Sequence, residues 1–130
     1  MSSQSLVLTA PLSVGRHPAY VDVIVDRATP LGNPFKVGEA GTPDAQTACA
    51  RYRTWLNKLI HADERNEHEA QAFEMFESLV AMAQALSTAK GPRLRLLCWC
   101  KRGPCHTHVL AKAIMWAVDQ RAQSQATEAA

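Results

Sequence analysis

The stretch Arg93-Leu-Arg-Leu-Leu-Cys-Trp-Cys-Lys-Arg-Gly-Pro-Cys-His-Thr-His-Val-Leu110 decides the fold. Arg93 to Cys98 is an apolar run with little alternation and reads as a strand. Gly103-Pro104 signals a turn, and Val109 to Val118 repeats apolar residues at helical spacing. A strand therefore feeds a helix, and the join concentrates three of the four cysteines and two of the five histidines. Unsatisfied backbone N–H groups and the positive end of the helix dipole favour a thiolate or a phosphate at such a join. Cys105 is accordingly the first candidate for a thiol with a lowered pKa.

Working outward, Gly91-Pro92 separates this strand from a helical pattern through Phe73, Phe76, Val80, Ala83 and Leu86. Before it, Ala45, Ala48, Cys49, Tyr52, Trp55, Leu56, Leu59 and Ile60 keep one helical face apolar. Thr42-Pro43-Asp44 offers an N-cap at Thr42 with proline in the first turn. Tyr20 to Val25 alternates, with Val21, Val23 and Val25 on one face and Asp22 and Ile24 on the other, and Leu6 to Thr9 suggests a further short strand. The order strand, strand, loop, helix, helix, strand, loop, helix predicts a small Rossmann-like α/β layer with a mainly parallel sheet and flanking helices.

The 130 residues, 47% of them hydrophobic and 20% charged, fit one domain with a core over about residues 5–120 and a disordered tail over about 121–130. A net charge of +2 is too small to suggest a nucleic-acid polymer as partner. With no signal-peptide pattern and no run approaching a membrane span, a cytoplasmic protein without membrane contact is expected. In a reducing compartment, clustered Cys and His read as metal ligands or reactive thiols rather than as disulfides.

Three chemistries compete for the cluster. Cys100, Cys105, His106 and His108, with Cys98 as a further donor, supply the sulfur and nitrogen that a tetrahedral zinc ion takes, although the CxC-x4-CH spacing differs from common zinc fingers. As a catalytic pair, Cys105 is the nucleophile, with His106 or His108 as its base or acid. As plain structure, Cys98 and Cys49 pack the core and His106 bonds a carbonyl at the helix start. Packing is the preferred reading for Cys98 and Cys49, and function for Cys105-His106.

The loop Arg27-Ala-Thr-Pro-Leu-Gly-Asn-Pro-Phe35 also follows a strand directly. Arg27 past the strand end can grip phosphate or carboxylate, Gly32 and Asn33 suit a ligand-contacting turn, and Phe35 can stack on a base or anchor the loop. Lys101 and Arg102 add positive charge beside the cysteines. Parallel crossovers place both loops on one sheet edge, where ligands bind in such folds. The expected partner is a nucleotide or other small anionic, phosphorylated ligand. Alternatives are a zinc-stabilised interaction module, serving a phage against its host, or a thiol redox protein using Cys98, Cys100 and Cys105.

On these motifs the chain resembles a family of small bacterial and phage proteins catalogued as domain of unknown function 4326. The matching residues are Arg27, Gly32-Asn-Pro-Phe35, Arg51-Tyr-Arg-Thr-Trp-Leu56, Cys98-Trp-Cys100 and Cys105-His106, and the likeness spans roughly residues 20–118. Where that family follows Cys-His with Gly-Asp, this chain has Thr107-His108, so a mechanism needing that carboxylate is not implied here. A further family of unknown function is similar over the strand-Cys…Cys-His-helix element alone. The resemblance implies a shared α/β pocket and names no activity.

Overall fold

The computed structural model describes residues 7–11, 13–26, 28–87, 92–98 and 105–129. Along the chain run β1 (Val7–Pro11), β2 (Tyr20–Ile24), α1 (Ala45–His61), α2 (Glu67–Ser87), β3 (Arg93–Cys98) and α3 (His106–Ala129). The strands form one parallel sheet in the order β1-β3-β2. β3 is central, with hydrogen-bonded neighbours on both edges, and it is buried from Leu94 to Cys98. The strand alternates at its start, Arg93 and Arg95 with Leu94 and Leu96, so the expected apolar run without alternation holds only from Leu96 to Cys98. The sequence thus folds as the small α/β unit with a parallel sheet that its periodicity predicts.

The register sets Val7 and Val21 level with Leu94, and Val23 level with Leu96. Because side chains alternate along a strand, Leu94, Leu96 and Cys98 share one face of β3. Leu94 and Leu96 join Leu56, Phe76, Leu110 and Ile114 in the core. On the opposite face Arg95 lies directly across from Asp22 and clamps its carboxylate, with Nε to Oδ1 at 2.6 Å and Nη2 to Oδ2 at 3.0 Å. Arg95 also donates to Gly15 O and stands 4.3 Å over the Tyr20 ring. A guanidinium on a mostly buried strand residue is thus paired and stacked, as burial requires.

Residues 12–19 alone link β1 to β2, and no helix lies among the described ones of that link. β3 sits between the two strands, so the link skirts the middle strand rather than forming a helical crossover; only β2 and β3 are joined through helices.

Asp44, not Thr42, caps α1: its Oδ1 accepts from Thr47 N at 2.7 Å. That backbone donor holds the Asp44 carboxyl below its usual range. Thr42 is buried one turn earlier, where its hydroxyl accepts from Arg51 Nη1. Asn66 and Glu69 open α2 with a reciprocal capping box, each side chain accepting from the other's backbone N–H. Arg65 closes the end of α1 by donating to Leu59 O and Ile60 O, and its guanidinium stacks on Phe73 of α2.

Past Arg121, where a disordered tail is predicted, α3 stays helical to Ala129. Arg121 pairs with Glu77 of α2, and extending an existing helix through Ala, Gln and Glu costs little per residue. Among the described residues no helix is long and apolar enough to cross a membrane.

Candidate metal centre

The site forms where β3 ends and α3 begins. Cys98 is the last residue of β3, in phase with Leu94 and Leu96, and so faces the helices. Cys105 directly precedes α3, and His106 is its first residue. All three are buried. Cys98 and Cys105 are present as thiols with Sγ atoms 2.7 Å apart. His106 Nδ1 stands 3.7 Å from Cys105 Sγ, and the Thr107 hydroxyl donates to that sulfur at 3.1 Å. One ligand-type atom from each of Cys98, Cys105 and His106 lies within 4.8 Å of the others.

The backbone orients the imidazole. His106 Nε2 is 2.6 Å from Val25 O, one residue beyond β2. A carbonyl only accepts, so Nε2 carries a hydrogen and Nδ1 is the ring nitrogen turned to the Cys105 sulfur. Val25 is itself fixed by donating to Leu97 O at 2.9 Å, which extends the β2–β3 ladder. The Tyr52 ring meets His106 edge-on at 5.1 Å, and its hydroxyl donates to Leu31 O at 2.8 Å. Burial pushes the Tyr52 phenol far above its ordinary pKa, so it is a neutral donor there. Cys49 of α1 neighbours the pair: burial raises its thiol pKa, and Cys105 and Cys98 add to the rise. It is buried, in keeping with its predicted packing role.

The residues singled out in the sequence divide into four groups. Arg27, Cys100, Lys101 and Arg102 lie outside the described residues, as does Trp99. Cys105 and His106 come together as expected, joined by Cys98, which was read as packing. His108 does not join them: it is exposed, because residues two apart on a helix point in nearly opposite directions.

Gly32 and Asn33 are buried in the loop after β2. Asn33 spends its amide locally, with Nδ2 donating to Ala48 O and Oδ1 accepting from Phe35 N. Phe35 lies under the Arg51 guanidinium at 4.3 Å, on the outer side of α1. The loop and the start of α3 are nevertheless tied together through Val25 O, Leu31 O and Tyr52. Val25, Tyr52 and Thr107 were not read as site residues, because they act through a carbonyl, a ring edge and a hydroxyl that carry no motif. For Cys98 a signal existed, since a strand's last inward residue reaches whatever lies beyond the strand end.

Comparison with curated proteins and with solved structures finds no match to either. The agreement lies at the level of the family, across the segment from the β1–β2 link to the outer face of α3: a model of the family described as Domain of unknown function (DUF4326) matches residues 13–116, and the chain belongs to it.

Proposed function

We propose that the protein binds a transition-metal ion, zinc by its ligand chemistry, through Cys98, Cys105 and His106. The observation that carries this is the His106 ring. Its Nε2–H is anchored on Val25 O while Nδ1 stands 3.7 Å from the Cys105 sulfur, the arrangement by which metal-binding histidines are fixed in tautomer and direction. Sulfur with imidazole suits zinc, and three protein ligands leave a fourth position for a further donor. Two sulfurs on a tetrahedral zinc stand about 3.8 Å apart, so the thiols part by about 1 Å as the ion enters.

The test is metal analysis of protein purified without chelators. One equivalent of zinc is expected, lost in Cys98→Ala, Cys105→Ala and His106→Ala and kept in His108→Ala. Ligand thiols must deprotonate, so zinc affinity falls as pH is lowered. Reduced wild-type protein that holds no zinc, and whose melting temperature does not move when zinc is added, overturns the reading.

A second reading rests on the 2.7 Å approach of Cys98 and Cys105. A dithiol this close needs to shorten only to about 2.0 Å to form a disulfide, giving two protons and two electrons to an external oxidant such as a peroxide. Thiol titration before and after peroxide, with and without zinc, separates the two. The metal reading stands ahead of a nucleotide or other phosphorylated ligand on this sheet edge. The charges that favoured such a ligand, on Arg27, Lys101 and Arg102, lie outside the described residues, and Asn33 and Phe35 serve the loop.

A further inference from the structure

Between α1 and α3 lies an open groove of about 690 Å³, apart from the metal centre. Ile60, Val109 and Trp116 contribute apolar surface to it, while Arg53 and Lys58 from α1 and Lys112 from α3 contribute cations. None of its lining residues is Asp or Glu. Trp116 is 48% exposed and stands 6.0 Å from the His61 ring, so two aromatic rings flank the opening. The charge is segregated by element. α1 carries Arg51, Arg53 and Lys58 and no carboxylate, whereas α2 carries Glu67, Glu69, Glu74 and Glu77 and no Lys or Arg.

We propose that this groove binds a small amphipathic organic anion, its flat apolar body against Trp116 and Ile60 and its anionic head among Arg53, Lys58 and Lys112. Three observations choose this occupant. The volume falls within the range of about 300–1,000 Å³ typical of small-ligand sites. An apolar floor rimmed by cations without carboxylates is complementary to a ligand that is apolar at one end and anionic at the other. A second copy is disfavoured, because a two-fold contact through this face sets the same cations against each other.

Fluorescence titration of the intact protein tests it with 8-anilinonaphthalene-1-sulfonate and its uncharged counterpart N-phenyl-1-naphthylamine. The sulfonate is expected to bind saturably at one site, about tenfold tighter than the neutral amine. Lys58→Gln and Lys112→Gln each weaken sulfonate binding several-fold and leave the amine unchanged, and Trp116→Ala weakens both. All three side chains are solvent-exposed, so melting temperatures match the wild type and a loss of binding is not a loss of fold. Equal binding of the two probes, or sulfonate binding indifferent to both lysine changes, overturns the proposal. So does concentration-dependent self-association that is abolished by Trp116→Glu and blocks the probe, which assigns the groove to a second copy.

Discussion

His106 gives one ring nitrogen to the backbone and the other to sulfur, and Tyr52 is its wall. Tyr52→Phe keeps the ring and removes the donor to Leu31 O, leaving a buried carbonyl unsatisfied. We expect a loss of about 1–3 kcal/mol in urea unfolding, and a smaller loss means water replaces the hydroxyl. On the far face of the sheet, the hydrogen bond from Arg95 holds Asp22 below the ordinary carboxylate range. A depressed folded-state pKa contributes stability that is present above the unfolded value of about 3.9 and is lost as pH falls through the lower folded value. Asp22→Asn should therefore be less stable than wild type at neutral pH, with the two stability curves converging in acid. Parallel curves across that range contradict the assignment. At this scale the Cys105-His106 pair was legible because two ligand-type residues open a helix. Cys98 was weighed as a further donor but read as packing, since its phase with Leu94 and Leu96 is also the phase of a core residue. His108 was misleading, because proximity in sequence is not proximity on a helix.

The elements were read mainly from periodicity, and the departures sit at their ends. Thr42 and Asp44 both suit an N-cap, and the choice depends on Arg51 drawing the Thr42 hydroxyl into a buried contact, which is a non-local event. The Asn66–Glu69 box is local and fixes where α2 starts. Asn66→Ala should cost about 0.5–2 kcal/mol by denaturant melting, and Asn66→Asp much less, because either side chain can accept from Glu69 N. A loss equal in both variants contradicts the capping role. Arg121, where the predicted tail begins, is held to α2 by its pair with Glu77, a non-local contact that composition does not reveal.

For the whole molecule, the parallel sheet was legible, but the order β1-β3-β2 was not. Strand order is decided by which surfaces pack, and a short β1–β2 link suggests neighbours that β3 in fact separates. That separation gives the site its geometry: β3 delivers Cys98, its neighbour β2 delivers the Val25 carbonyl, and α3 returns over the same edge with Cys105 and His106. Zinc should thus stabilise the tertiary structure, raising the melting temperature of wild type but not of His106→Ala. X-ray absorption at the zinc edge reads the proposed ligand set directly. Wild type is expected to show two sulfurs near about 2.3 Å and an imidazole nitrogen near about 2.0 Å, and Cys98→Ala to hold no zinc at the site. A shell of light atoms only, or four sulfurs without imidazole, would contradict it.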